Sequence, residues 1–325
     1  MDSAPSPSLI GESKCFREVL RIIERVAPAD CPVLVTGETG TGKELVARAI
    51  HSQSRRANGP LVFVNCSAIP LSLMESELFG HERGAFTGAT SSVPGRFGKA
   101  CMGTLVLDEI GELAPGPQAK LLRVIESGEL ERLGTRRSTK ADVRILATTN
   151  CNLKARVDSG RFRSDLFYRL NVIRISLPAL RDRDDDAVVI AHYFLRRYVN
   201  AHGKSVQEFS PGALQLLRSY SWPGNVRKLE HTIEKAVLLS RDGRIGADDI
   251  RLSDSQPRNL SRKPTDSEML ILENRLRANR GNVSKTAREF GLSRKGLVYI
   301  LKKRGIDASV FRTKSSGRHP EYRDT

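Results

Sequence analysis

The 325-residue chain is long enough for two or three domains, and 39% of it is hydrophobic. Its formal charge of +16 points to a polyanionic partner, and from Arg251 onward 18 Lys/Arg stand against 8 Asp/Glu. No apolar run approaches the roughly 18 residues that span a bilayer; MDSAPSPS lacks a signal peptide's basic start and apolar stretch; and five scattered cysteines (Cys15, Cys31, Cys66, Cys101, Cys151) without C-x-x-C spacing exclude a disulfide frame and a zinc site, reading as reduced, mostly buried thiols of a cytoplasmic protein.

After a polar head, residues 1–8, Ser13–Val26 reads as an amphipathic helix with Phe16, Val19, Leu20 and Ile23 on one side. The strand Val33–Val35 then enters a glycine-rich turn, and KELVARAIH returns as a helix. Gly37-Glu38-Thr39-Gly40-Thr41-Gly42-Lys43 completes G-x-x-x-x-G-K. Its glycines let the backbone turn tightly so that N–H groups face phosphate oxygens, and Lys43 supplies a point charge. The usual Ser/Thr after the lysine, a Mg²⁺ ligand, is here Glu44.

Leu61–Val64 is a second strand, ending in Asn65, and Ser72–Phe79 looks helical. Periodicity breaks at HERGAFTGAT (His81–Thr90), where small residues and glycines flank Phe86 and Thr87. This is either an exposed loop carrying one aromatic or an ordinary surface turn. Thr104–Leu107 reads as a buried parallel strand, with Asp108 and Glu109 at its C-terminal end, where open α/β sheets bind ligands. Asp108 suits a Mg²⁺–water ligand and Glu109 a base or orienter for the attacking water.

Gln118–Glu126 reads as a helix and Val143–Thr148 as a strand. The polar pair Thr149 and Asn150, just past that strand, either reaches the γ-phosphate or the attacking water, or caps the next segment. In GRFRSDLFYRLN, Arg161, Arg163 and Arg169 are either a basic surface helix or arginine fingers for a neighbouring subunit's nucleotide. Arg174–Leu177 is the last strand of this half. Residues 180–250 are helical, with Asp184–Asn200, Gly212–Ser219 and Val226–Ser240 as the main pieces and SWPGN as a break. Arg227 either faces a nucleotide or is an ordinary first-turn arginine.

Residues 251–266 read as a flexible polar linker. Leu270, Leu272 and Leu276 then lie on a helix, and after Gly281 the chain has helix-turn-helix spacing, with a turn at Gly291 and a second helix from near Ser293. Ser293, Arg294, Lys295, Lys302, Lys303 and Arg304 lie on that helix, which either binds DNA or is a basic solvated face. The polar tail, 308–325, reads as disordered.

Together these motifs resemble one family, the bacterial enhancer-binding proteins, AAA+ ATPases that activate sigma-54 RNA polymerase. The resemblance runs over about residues 9–305 and rests on ESELFGHERGAFTGA, GTLVLDEIGEL, FRSDLFYRLNV and SWPGNVRKLE. It implies an α/β fold: an AAA+ P-loop NTPase core with a parallel sheet (9–178), a helical lid subdomain (179–250) and a C-terminal all-α helix-turn-helix domain of the Fis type (267–307). It also implies ATP and Mg²⁺ at a loop built from Gly37 to Glu44, since the family commonly carries Glu after the lysine. Asp108 and Glu109 resemble the residues acting on metal and water, Asn65 the residue restraining the glutamate, and Asn150 and Arg227 the two nucleotide sensors. Arg163 and Arg169 resemble fingers acting in trans, and Gly84, Ala85, Phe86, Thr87, Gly88 and Ala89 the loop that contacts sigma-54.

The implied partners are sigma-54 RNA polymerase, a double-stranded upstream DNA site and further copies of the chain, from a dimer to a hexameric ring. Relatives usually begin with a receiver or sensory domain of a two-component system. Here the ATPase begins near residue 9, so the expectation is either a minimal activator restrained by a partner protein or a truncated longer one. Two other readings compete. One is a sigma-54-independent DNA-binding regulator with a ligand-sensing or vestigial core. The other is an AAA+ remodeller such as a helicase loader.

Overall fold

A computed structural model describes residues 9–135, 137–240, 243–250, Leu252, 275–279, 281–289, Leu297 and Leu301. By its contacts the chain divides into two compact units, 1–251 and 252–325.

The first unit opens with α1 (Lys14–Val26), β1 (Val33–Thr36), α2 (Lys43–Ser52), β2 (Leu61–Asn65) and α3 (Met74–Phe79). A short hairpin, β3 (Gly80–His81) and β4 (Val93–Pro94), precedes α4 (Arg96–Lys99), β5 (Thr104–Asp108) and α5 (Pro115–Ser127). A second hairpin, β6 (Glu129–Glu131) and β7 (Ser138–Lys140), leads to β8 (Arg144–Thr149), α6 (Leu153–Asp158), α7 (Ser164–Leu170) and β9 (Ile173–Ser176). Helices α8 (Asp186–His202), α9 (Pro211–Ser219) and α10 (Asn225–Leu239) follow, with the short parallel pair β10 (Glu208–Phe209) and β11 (Arg244–Ile245).

The strands β2-β5-β8-β1-β9 form one all-parallel sheet in that order. Strands β1 (VLVT) and β5 (TLVLD) are largely apolar and buried because both faces of a central strand are covered, whereas edge strand β9 (IRIS) alternates, with Arg174 and Ser176 exposed. Alternate residues feed opposite layers, as a period of two requires. Leu34, Leu105, Leu107, Ile145 and Ala147 pack with α3, α4, α5 and α7, whereas Val33, Val35, Val106, Leu146 and Ile175 pack with α1 and α2. The helices α8 and α10 pack along each other beyond the sheet.

Several boundaries differ from expectation for local reasons. Helix α5 begins at Pro115, earlier than expected, because proline at the first position has the helical φ and no N–H to satisfy. Helix α8 starts at Asp186 rather than Asp184, because Asp184 adopts φ +44°. Neither hairpin was anticipated, since strands of two or three residues carry no periodicity. The cysteines are less buried than expected: Cys66 is buried, but Cys15 and Cys101 are exposed and Cys31 and Cys151 intermediate, and all five are free thiols. No described helix is long and apolar enough to cross a membrane.

In the second unit the described residues include α11 (Val283–Glu289). Asn282 caps it, its Oδ1 accepting the Lys285 N–H at 3.0 Å. Leu276, Ala287, Leu297 and Leu301 are buried. The expected turn at Gly291 and the predicted DNA-binding residues Ser293, Arg294, Lys295, Lys302 and Lys303 lie outside the described residues, as do the polar head, the tail and the linker apart from Leu252.

Candidate functional site

The sheet register brings three strand ends together. Strand β1 lies between β8 and β9, with Thr36 beside Thr149 and Ser176. This is where strand order reverses, the usual ligand crevice of open α/β sheets. The loop 37–42 leaves β1 there and feeds α2, whose N-terminus attracts anions through its dipole and unpaired N–H groups. Gly40 and Gly42 take φ +79° and +101°. A Cβ on Gly40 would lie 2.2 Å from the Gly224 carbonyl oxygen, so glycine is required where the loop meets the turn before α10.

Lys43 is buried, and its Nζ donates to the carbonyls of Gly37 (3.0 Å) and Glu38 (3.3 Å). Thr41 Oγ1 also donates to the Glu38 carbonyl, at 2.8 Å. Glu44 points elsewhere, pairing with Arg48 one turn on (2.7 Å). Asp108 closes β5 and accepts a short hydrogen bond from Thr148 Oγ1 on β8. Glu109 follows in the left-handed region at φ +51°. Its Oε1 lies 3.7 Å from Lys43 Nζ, and its Oε2 accepts the Asn150 backbone N–H at 3.0 Å. Lys43, Asp108, Glu109 and Asn150 therefore meet at one crevice.

Asn65 sits beside Asp108 in register, and its Oδ1 accepts from the Ser67 N–H (2.9 Å) and hydroxyl (2.7 Å), a cap on the following turn. Nearby Cys66 is no nucleophile, because burial and the Asp108 charge push its thiol up to about 12. Among the described residues no cluster of three or more His, Cys, Asp or Glu could cage a metal. Two carboxylates beside a phosphate loop still suit Mg²⁺, which takes one or two carboxylates plus substrate phosphates.

Sequence reasoning missed the seam between the loop and the helical part. Arg181 grips the Glu38 carboxylate with two bonds (2.9 and 2.6 Å), and Asn225 Nδ2 adds a third (3.2 Å). Those bonds, Arg181 first, hold the Glu38 carboxyl below its ordinary value. The Arg227 N–H donates to the Gly40 carbonyl at 3.3 Å. No local sequence signal marks these contacts, which join residues over 140 positions apart.

Arg163 and Arg169 lie away from this crevice's own hydrogen-bond network. Both are exposed and paired within the chain, Arg163 with Asp165 (2.7 Å) and Arg169 with Glu126 (2.9 Å). The segment Gly84–Ala89 sits between β3 and β4 as a tight knuckle: the Gly84 N–H donates to the Ala89 carbonyl (2.9 Å) and the Ala89 N–H to the Phe86 carbonyl (3.0 Å). Phe86 is 41% exposed, and its ring meets the His81 ring edge-on at 4.9 Å.

The comparisons agree with this architecture. The sigma-54 interaction domain family matches residues 9–176, the AAA+ ATPase lid domain 181–267, and the bacterial regulatory protein, Fis family, 263–303. The chain is 44% identical over 313 residues to the regulatory protein AtoC of Escherichia coli (strain K12), covering 92% of this chain and 68% of that protein. It is 54% identical over 238 residues to the anaerobic nitric oxide reductase transcription regulator NorR of Salmonella paratyphi C (strain RKS4594), covering 73% of this chain and 47% of that one. NtrX from Brucella abortus, solved in complex with ADP, superposes with a TM-score of 0.72 at 35% identity, over 92% of this chain and 70% of that one. A nucleotide-type crevice, an AAA+ lid match and a Fis-family match thus follow one another along the sequence, and the chain belongs to the sigma-54-dependent transcription activators, ATPases of the AAA+ class.

Proposed function

We propose that the chain hydrolyses ATP in the cytoplasm at sites completed between subunits of a ring, and that hydrolysis moves Gly84–Ala89 against sigma-54 RNA polymerase held near a DNA-bound second unit. The observation that carries this reading is the convergence of Lys43, Asp108, Glu109 and Asn150 at the mouth of the phosphate loop. Lys43 and the loop N–H groups hold the phosphates of the substrate ATP. Glu109, fixed by Asn150 and Lys43, accepts the proton of the attacking water. Asp108 would hold Mg²⁺, which supplies charge neutralisation on the phosphates. Phosphoryl transfer is mainly positioning and electrostatics, so no further covalent chemistry is asked of the protein.

Arg163 and Arg169 stabilise the γ-phosphate of a neighbouring subunit. Their exposure supports this, because a finger that acts in trans has to be accessible. Such a head-to-tail interface generates a ring when its rotation closes on itself. The exposed Phe86 and Thr87 form the sigma-54 contact, and Ser293, Arg294, Lys295, Lys302 and Lys303 contact DNA, in keeping with the basic excess after Arg251.

Two measurements test the reading. ATPase rate per chain should rise steeply with protein concentration; a flat, low specific rate counts against sites completed between subunits. Thr87→Ala should abolish activation from a sigma-54 promoter while ATP turnover continues. Unimpaired activation would instead favour a regulator that works without sigma-54.

A further inference from the structure

The phosphate loop is held at one residue from both sides. Thr39 Oγ1 accepts a hydrogen bond from Asn150 Nδ2 at 3.0 Å, and the Thr39 carbonyl accepts one from Asn225 Nδ2 at 3.0 Å. Both partners have other tasks. The Asn150 backbone N–H holds Glu109 Oε2 at 3.0 Å. Asn225 is buried at the start of α10 with φ +54°, and its Oδ1 accepts the Leu180 N–H at 2.8 Å. Its own N–H donates to the Trp222 carbonyl at 2.7 Å. A continuous hydrogen-bonded path therefore runs from the Glu109 carboxylate through Asn150, Thr39 and Asn225 to the turn that carries Trp222. None of these links exceeds 3.0 Å.

We propose that Thr39 is a positioning residue that couples the orientation of Asn150 and Glu109 to the lid. This rests on the ATPase reading above. A phosphate-loop residue at this position needs only its backbone to meet phosphate, and the Thr39 side chain is exposed, so its hydroxyl serves no packing role. That hydroxyl joins the loop to Asn150, while its carbonyl joins the loop to the lid. The seam is also closely packed: the Arg227 N–H reaches the Gly40 carbonyl, and Gly40 has no room for a Cβ against Gly224. A shift of the loop must then displace the lid turn and Asn150 together, because packed contacts of this kind switch between arrangements rather than stretch.

The test compares Thr39→Val with Thr39→Ser. Valine keeps the β-branched shape and the carbonyl but removes the hydroxyl; serine keeps the hydroxyl. Trp222 is the one tryptophan of the chain, so its emission reports on the lid turn. Saturation with ADP should change that emission in the wild-type chain and equally in Thr39→Ser. In Thr39→Val the change should shrink although ADP still binds. Its kcat should fall roughly tenfold with little change in the KM for ATP, as expected for a small misplacement of catalytic groups, and Thr39→Ser should recover it.

Equal behaviour of the two variants in kcat and emission overturns the proposal, whether both match the wild type or both fail. A wild-type emission that ADP leaves unchanged also overturns it. A wild-type chain that binds ADP but hydrolyses no ATP removes the ATPase reading instead, and the emission comparison still decides the role of Thr39.

Discussion

Glu109 Oε1 lies 3.7 Å from Lys43 Nζ, so the carboxylate proposed to take a proton is bound to the ammonium proposed to hold phosphate. The contact is buried on the lysine side and partly exposed on the glutamate side, and it is backed by the Asn150 N–H, which fixes the carboxylate on its other oxygen. Two separate roles follow for two adjacent groups, and substitution should separate them.

Glu109→Gln keeps the shape and the bond from Asn150 but removes the base. General-base loss costs about 10²–10⁴-fold in rate. Turnover should fall by that order while ATP still binds, as checked by single-turnover hydrolysis beside equilibrium binding. Retained turnover would take Glu109 out of its role.

Arg163 and Arg169 should reveal themselves by complementation between chains. Each pairs with a carboxylate of its own chain, but such exposed pairs are weak and give way readily to a nucleotide phosphate. Alone, Arg163→Ala and Lys43→Ala should each lose about 10³-fold or more in turnover. Mixed together, they should regain part of the wild-type rate, because some interfaces join an intact loop to an intact finger. Mixtures that stay inactive at every ratio would speak against action in trans.

The part of this site that could be read in advance was the part written in consecutive residues. Val33–Val35, Leu105–Leu107 and Ile145–Ala147 are apolar runs bounded by proline or polar residues, and each lies in a central strand. The phosphate loop and the Asp108-Glu109 pair followed from those runs. The seam did not, because Glu38, Arg181 and Asn225 are far apart in sequence and are brought together only by the tertiary fold. The hairpins were hidden for another reason: β3 and β4 have two residues each, too few for alternation to show. The exposed Cys15 shows the converse limit, since α1 periodicity puts it beside buried Phe16 but on the solvent side.

Asp186 predicts an acid limit to stability. It is buried with Arg183 and accepts hydrogen bonds from the Glu12 and Ser13 N–H groups (2.6 and 3.0 Å) and the Ser13 hydroxyl (2.8 Å). Burial alone would raise its pKa, but these bonds and Arg183 hold the carboxyl below its ordinary value. A depressed folded-state pKa means that its full contribution is present above the unfolded value, about 3.9. That contribution is lost as pH falls below that value and through the folded one. Urea unfolding should therefore show stability declining below about pH 4. Asp186→Ala should cost about 3–5 kcal/mol at neutral pH, because Arg183 is left buried and uncompensated. It should also flatten that acid decline. A variant as stable as the wild type would refute the anchoring role.

The two hairpins are joined so tightly that one glycine should control both. The Leu133 N–H donates to the Gly80 carbonyl and the Glu82 N–H to the Leu133 carbonyl, each at 2.9 Å, and Arg132 pairs with Glu82 at 3.0 Å. Gly134, next in the chain, has φ +82°, and a Cβ there would lie 2.7 Å from the Ala85 Cβ. Gly134→Val thus imposes both a backbone strain of about 1–2 kcal/mol and a clash with the residue before Phe86. The crevice of Lys43 and Glu109 is built on other elements, so ATP turnover should stay near the wild-type rate. Activation at a sigma-54 promoter should fall sharply, because the knuckle carrying Phe86 and Thr87, proposed above as the sigma-54 contact, is pushed out of register. Open-complex formation measured beside ATPase rate checks this. Equal loss of both activities would mean that the hairpins report on the fold as a whole, while retention of both would mean that the knuckle tolerates its displacement.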